Sequence, residues 1–153
     1  MLLLGLAVWA ADMTGRWELD RAASEDMDTL LQETQELSWL ERQLAGSVDV
    51  THVIAQQGAT VQVDVVAPAF TSSATLVTDK QWRDATLRTG PASQRAWWEG
   101  EVLVVESKGS LADGTSALYR TERWIEGDDM FFVLSIDAED GRSWKVKRVL
   151  RRS

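Results

Sequence analysis

The chain has 153 residues, of which 44% are hydrophobic and 26% charged, and this fits one folded domain with a substantial core. It contains no cysteine, which excludes disulfides, thiolate metal sites and cysteine nucleophiles. A single histidine, His52, does not suffice for a histidine-cluster metal site or for a catalytic triad with a spare base. The net charge of −8 argues against a general nucleic-acid partner. We expect no cofactor and no metal.

Residues 1–11, MLLLGLAVWAA, form an apolar segment without lysine or arginine. The segment is too short to span a bilayer, and it resembles the apolar region of a secretory signal whose charged start is missing. Small residues allow a cut after Ala10. We therefore predict a truncated signal peptide over 1–11 and a soluble exported product, periplasmic or extracellular, without stable membrane insertion. The alternatives are a start codon placed too late, a first strand of the fold, and a cytoplasmic protein.

The segment from 12 to 46 predicts one strand followed by two helices. Residues 14–20 alternate apolar Trp17 and Leu19 with polar neighbours, which is typical of a strand. From residue 24 the apolar residues recur at helical spacing with a break near 34–38, which predicts helices over about 25–33 and 37–45. Ser24 is the expected N-cap and Gly46 the expected stop.

After residue 48 the pattern changes to short β-rich runs separated by turn residues, and after residue 79 these turns recur every 10 to 14 residues. No helix-length segment separates the strands, so the pattern favours consecutive hairpins over parallel units with crossover helices. Ten strands in sequence favour closure into an up-and-down antiparallel barrel. The ten predicted strands cover roughly 14–20, 48–57, 59–67, 71–79, 81–88, 93–99, 101–108, 115–125, 129–137 and 142–151.

Four short stretches carry a resemblance to a known family. They are Gly15–Leu19 (GRWEL), Ser24–Leu31 (SEDMDTLL), Glu41–Gly46 (ERQLAG) and Lys147–Leu150 (KRVL). Together with the order of elements over residues 14–152, they resemble the fatty-acid-binding proteins, which belong to the calycins with the lipocalins. The resemblance implies a mainly β, lipocalin-like barrel over residues 12–153, with a two-helix lid after the first strand and a hydrophobic ligand inside.

Arg148 is the leading candidate for contact with that ligand. Alternation places it on the same strand face as Trp144 and Leu150, so an inward Arg148 would be a cation in an apolar interior that needs an anion. A fatty-acid carboxylate matches the planar guanidinium. The resemblance gives the same position to a carboxylate-binding arginine, although Leu150 stands where the family has a tyrosine. The competing interpretation is structural: Arg148 packs across Trp17 as a brace.

Arg120 is the second candidate, because the resemblance places a second inward arginine in the strand over 115–125. Arg123, three residues along, faces the opposite side, so a slip of one residue in register exchanges their roles. Apolar contact with the ligand is expected from Trp144 and Leu150 of the last strand and from Met27 and Leu31 of the first helix. Ordinary core packing is the alternative for these side chains.

We predict non-catalytic binding or transport of a hydrophobic ligand, such as a fatty acid or a similar carboxylate lipid, inside the barrel. One alternative is an envelope protein-interaction or structural module whose barrel interior is filled with side chains. A small enzyme on a calycin scaffold is the weaker alternative, because no pair of groups separates acid from base roles. The volume of the cavity distinguishes the carrier from the filled module. The sequence does not determine the oligomeric state.

The predicted export has a direct test in the N-terminal sequence of the protein isolated from its native source. We expect the mature chain to begin near Ala11, because the residues before it suit signal cleavage. A native chain that retains Met1 in a cytosolic fraction would contradict export.

Overall fold

The computed structural model describes residues 12–37, 41–42, 49–67 and 70–153. The predicted signal segment over 1–11 lies outside the described residues. Of the second predicted helix, residues 41–42 are helical, and 38–40 and 43–45 lie outside the described residues. The elements are β1 (Gly15–Asp20), α1 (Asp28–Gln35), β2 (Thr51–Gln57), β3 (Thr60–Ala67), β4 (Phe70–Val77), β5 (Arg83–Leu87), β6 (Gly90–Glu99), β7 (Val102–Ser110), β8 (Ser116–Glu126), β9 (Asp129–Ala138) and β10 (Ser143–Arg152).

All ten strands join one antiparallel sheet in the order β4-β3-β2-β1-β10-β9-β8-β7-β6-β5. Because β1 pairs with β2 on one side and with β10 on the other, the sheet curls until the first and last strands are neighbours. The predicted up-and-down barrel is confirmed, including the pairing of β3 with β4. In the described part of the chain, no helix follows residue 50.

The barrel has a seam between β4 and β5. No backbone ladder joins these two strands in the described residues, although they are consecutive in the chain. The segment between β4 and β5 forms backbone hydrogen bonds with other parts of the chain. Thr78 N–H donates to the carbonyl of Ala59 (2.8 Å), and Lys80 N–H donates to the carbonyl of Ala96 on β6 (2.9 Å). The hairpin between β4 and β5 that the turn rhythm predicts is therefore absent from the described residues.

Alternating side chains divide the inner face into two packed clusters. The first gathers buried residues from strands around the whole sheet, among them Ile54, Leu103 and the fully buried Trp17. The second lies under α1 and includes Leu30, Ile136 and Val146. Side chains of both clusters, such as Leu150 and Ile136, also line the interior space described below.

The opening Gly-x-Trp motif forms the corner where the two ends of the chain meet. Trp17 Nε1 donates to the carbonyl of Met13 at 3.0 Å, and the Arg152 guanidinium lies 4.2 Å from the Trp17 ring centroid. Gly15 has a backbone φ of 146°, which residues with a side chain rarely adopt. A Cβ at this position would lie 2.8 Å from Arg152 Nη1. The cation that braces Trp17 is therefore Arg152, and the structural alternative considered for Arg148 is wrong.

Helix α1 starts later than the sequence pattern indicates, at Asp28 instead of residue 25. The reason lies in Ser24, the expected N-cap. Its hydroxyl donates to the carbonyl of Asp20 (2.6 Å) and accepts from Val149 N–H (2.9 Å), so it ties the turn to β10. The helix ends before Glu36, which has a left-handed φ of 51°. No helix in the described residues has both the length and the apolarity needed to cross a membrane.

Replacing Gly15 tests the corner at Trp17. We expect Gly15→Ala to lower the free energy of unfolding by about 1–3 kcal/mol, because alanine strains this φ and displaces the Arg152 guanidinium from Trp17. Gly58→Ala is the matched control, since Gly58 also has positive φ (58°) but a Cβ there meets no atom within 4 Å. Urea unfolding of both variants gives the comparison. Equal losses would show that the Arg152 contact contributes nothing.

Candidate functional site

A cavity of about 1600 Å³ lies between α1 and the inner face of the barrel. Typical small-molecule sites measure about 300–1,000 Å³, so the space accommodates a long alkyl chain. The interaction-module alternative requires an interior filled with side chains. The cavity shows that the interior is not filled. Its apolar lining consists of Leu19, Met27, Leu30, Leu31, Leu37, Val50, Val65, Leu87, Phe132, Leu134, Ile136 and Leu150.

Helix α1 covers one end of the cavity and is held there by polar contacts. Gln35 Nε2 donates to the Tyr119 hydroxyl at 3.0 Å, and that hydroxyl donates to the carbonyl of Ser110 at 2.8 Å. At the opposite side of the helix, Trp144 Nε1 donates to Glu33 Oε2 at 2.7 Å. These hydrogen bonds fix the helix to β8 and β10, the strands that carry the candidate arginines.

The structure brings together most of the side chains that the sequence predicted for this site. Arg148, Leu150, Met27 and Leu31 all line the cavity. Trp144 packs with Met27 and Leu31 against the cluster under α1, and its described polar contact is to the helix. The structure thus places Trp144 as a support for the helix, next to the residues that line the cavity.

Arg120 does not belong to this group, and its predicted inward position is wrong. The side chain lies on the outer face of β8 between three carboxylates, those of Glu106 (3.4 Å), Glu122 (3.4 Å) and Glu99 (3.6 Å). The inner face of β8 is the other one, since Tyr119 lines the cavity. Apolar residues occur on both faces of this strand, so alternation did not determine which face is buried.

Arg123 is the inward arginine of β8, and it is 5% exposed. Its guanidinium lies 4.6 Å from the ring centroid of Phe132, its cross-strand neighbour on β9. Arg123 Nε has no hydrogen-bond partner in the described residues. Burial lowers the pKa of Arg123 to about 10, because the apolar surroundings disfavour the charged form. The sequence signal that would have found it is the parity it shares with Tyr119.

Arg148 lies on the other side of Phe132, which is also its cross-strand neighbour. The side chain is half-buried and lines the cavity, and its Nε has no hydrogen-bond partner among the described residues. Burial lowers the pKa of Arg148, and the negative charge of Asp26 opposes this shift. Asp26 is exposed at the approach to α1 and forms no described ion pair with Arg148 within 4.0 Å.

His52 on β2 completes this basic group. It is 6% exposed, lines the cavity, and meets the Phe132 ring edge-on with 5.4 Å between the ring centroids. Burial holds the pKa of His52 well below its ordinary value, and the positive charges of Arg123 and Arg148 lower it further. A neutral ring is therefore expected at neutral pH. No local sequence pattern marks His52 as part of a ligand site.

These three side chains account for all the buried, unpartnered side-chain nitrogen and oxygen atoms in the described residues: His52 Nδ1, Arg123 Nε and Arg148 Nε. All three residues surround Phe132. Because buried polar atoms are nearly always paired, such a cluster indicates a site for an anionic or hydrogen-bonding group. No group of three potential metal ligands occurs in the described residues, and the cluster is basic throughout.

Removing the buried charge of Arg123 should not destabilise the protein. We expect Arg123→Met to raise the free energy of unfolding of the ligand-free protein by about 1–3 kcal/mol, because an unpaired cation is replaced by an apolar chain of similar length. Arg120→Met is the matched control on the outer face of the same strand, where loss of its ion pairs should cost up to about 1 kcal/mol. Urea unfolding measures the free energy of unfolding of both variants. A lower value for Arg123→Met than for the parent would contradict the inference that Arg123 carries an unpaired buried charge.

No protein-family model matches this chain, and no curated protein sequence matches it. Solved structures do. A structure titled "REP1-NXSQ fatty acid transporter" aligns with a TM-score of 0.76 at 19% identity, covering 94% of this chain and 98% of that chain. A fatty-acid-binding protein from the brain of Drosophila melanogaster aligns with a TM-score of 0.72 at 20% identity (92% and 99% covered). Human cRBP IV aligns with a TM-score of 0.70 at 18% identity (94% and 99% covered). The chain therefore has the calycin fold of the fatty-acid-binding proteins.

Proposed function

We propose that this protein binds a long-chain amphiphile with a carboxylate head, such as a fatty acid, and carries it without chemical change. The observation that carries the proposal is the position of Arg148, a cation without an ion-pair partner in the described residues, on the wall of a mainly apolar cavity. Solved structures of the same fold that are titled as fatty-acid transporters or fatty-acid-binding proteins support the proposal. A periplasmic or extracellular site of action stays part of it, on the evidence of the apolar segment over 1–11.

The alkyl chain and the head group contribute in different ways. Each methylene group buried against the leucine and valine lining contributes about 0.8 kcal/mol. The carboxylate supplies the negative partner that the Arg148 guanidinium lacks, and its two oxygens match the planar guanidinium. Arg123 lies behind Phe132 and adds positive potential at the same place. The apolar surroundings strengthen this attraction, because water screens it less there than at the surface.

Met27 and Leu31 give the covering helix a role in this proposal. Both side chains line the cavity from α1, so they would contact the alkyl chain where it passes under the helix. Leu150 continues this apolar wall on β10, two residues from Arg148, and would contact the first carbons beyond the head. An amphiphile lying along this wall places its head at Arg148 and its tail under α1.

The interaction module with a filled interior is the second candidate function. It predicts an interior packed with side chains, whereas the described residues leave about 1600 Å³ open beneath α1. The open volume favours the carrier.

Replacing Arg148 tests the head-group contact. Arg148→Met should weaken binding of hexadecanoic acid roughly 10- to 150-fold, the equivalent of about 1.5–3 kcal/mol for a hydrogen bond to a charged group. Binding of hexadecanol should hardly change, because the alcohol carries no charge for Arg148 to stabilise. Titration calorimetry at matched pH and salt gives both dissociation constants.

Lys145→Met is the control for this experiment, because Lys145 is an exposed cation on the same strand and opposite face. It should leave both affinities unchanged. If Arg148→Met binds the acid as tightly as the parent, Arg148 is not part of the site. If neither ligand binds the parent protein, the proposed function is wrong.

A further inference from the structure

His52 on β2 lines the same cavity as Arg148 on β10. The two strands are separated by β1 alone, since β1 pairs with both of them. The His52 ring is almost fully buried, and its Nδ1 has no hydrogen-bond partner among the described residues. A buried histidine that serves only packing normally has its ring nitrogens hydrogen-bonded. Because His52 lines the cavity, a ligand there can supply a hydrogen-bond partner that the ring lacks in the empty protein.

The groups around His52 determine what it can bind. Its cross-strand neighbours are Trp17 on β1 and Val65 on β3, which carry no charge. The charges that act on the ring come from Arg123 on β8 and Arg148 on β10, and both are positive. Burial and these two cations together keep the pKa of His52 well below its ordinary value in the empty cavity.

Acidic residues also line the cavity, among them Glu25, Asp26 and Asp28 just before and at the start of α1. Asp26, on the segment before α1, influences Arg148 but is not among the causes of the shift at His52. The charges that shift the pKa of the ring are therefore both positive. A negatively charged group placed at Arg148 would add the first negative charge among them.

We propose that His52 is a head-group contact that donates a ring N–H to the ligand's carboxylate and takes up one proton from solvent as the acid binds. This inference rests on the proposed function and assigns a further residue to the same site. The carboxylate enters ionised and stays ionised, and the proton adds to the ring nitrogen without breaking any other bond. The bound state then holds the carboxylate between the Arg148 guanidinium and the His52 imidazolium, with Arg123 behind Phe132.

The physical reason for the proton uptake is a change in the sign of the local field. Without ligand, the two arginines disfavour a third positive charge. A carboxylate within hydrogen-bonding distance favours the charged form of the ring, and a nearby opposite charge typically shifts a pKa by about 1–3 units. The pKa of His52 is therefore higher with the acid bound than without it. Affinity for the acid should rise as the pH falls from the bound pKa towards the free pKa.

The chain offers an unusually direct measurement, because His52 is its only histidine. NMR of the labelled wild-type protein follows its ring resonances across pH 5–8 in three states: free, saturated with hexadecanoic acid, and saturated with hexadecanol. We expect the titration midpoint to lie below 6.5 in the free protein, the ordinary value for histidine. With the acid it should move upward by roughly one pH unit or more, and with the alcohol it should stay in place.

Calorimetry supplies an independent readout. Titration with hexadecanoic acid in two buffers of different ionisation enthalpy gives the number of protons taken up per ligand. At a pH between the free and acid-bound midpoints found by NMR, we expect a clear uptake for the parent and almost none for His52→Gln, which retains hydrogen-bonding groups but has no imidazole to titrate. Hexadecanol should cause no uptake with either protein. Matching far-ultraviolet circular dichroism spectra confirm that His52→Gln is folded, and if it is not, the NMR titration of the parent decides.

Two results would overturn the role of His52: a histidine midpoint that does not move when hexadecanoic acid binds, or a proton uptake that His52→Gln leaves unchanged. Both leave the proposed function intact, because the acid still binds. Failure of the parent protein to bind hexadecanoic acid at all would instead overturn the proposed function, and with it this inference.

Discussion

The antiparallel ladder between β1 and β10 is the constraint on which the rest of the structure depends. It joins the first strand to the last with the register Trp17 to Arg152 and Leu19 to Leu150. This pairing curls the sheet, since β1 also pairs with β2 on its other side. As a result His52 and Arg148, nearly a hundred residues apart, face one cavity across a single strand. The contact between Arg152 and Trp17 fixes the same join from the end of β10.

The interior combines two features that would oppose each other in an ordinary core. It is apolar over most of its surface, and it carries two guanidinium groups and a histidine without buried partners among the described residues. Dehydrating a cation without a partner costs several kcal/mol, so this arrangement reduces the stability of the empty protein. Under the proposed function, the same cost becomes a source of affinity, because the carboxylate of the ligand replaces the missing partner. Stability and binding are thereby coupled through the same side chains.

Several cations on the outer face of the barrel have partners in the described residues. Arg95 is paired with Glu106 at 2.6 Å and lies 4.4 Å from the ring centroid of Trp82. Lys108 lies 4.2 Å from the same ring, and Arg120 is surrounded by carboxylates. Each of these outer cations therefore has an acid or an aromatic ring beside it. Arg123 has only the Phe132 ring beside it, at 4.6 Å, and Arg148 has neither an ion pair nor a cation–π contact among the described residues. This contrast supports the proposed role of Arg148 at the head of the ligand.

The sequence by itself determined the class of fold and which side chains of the last strand share the face that points into the barrel. The change from helical to alternating spacing and the regular turns predicted ten antiparallel strands, and parity placed Arg148 and Leu150 on one face, because both signals are local. Only the tertiary structure decided which arginine of β8 points inward, since Arg120 and Arg123 lie on opposite faces and apolar residues occur on both. The pairing of β1 with β10, which gives His52 its place beside Arg148, and the cation over Trp17 were also decided there. They depend on contacts between distant parts of the chain, and no local pattern encodes these.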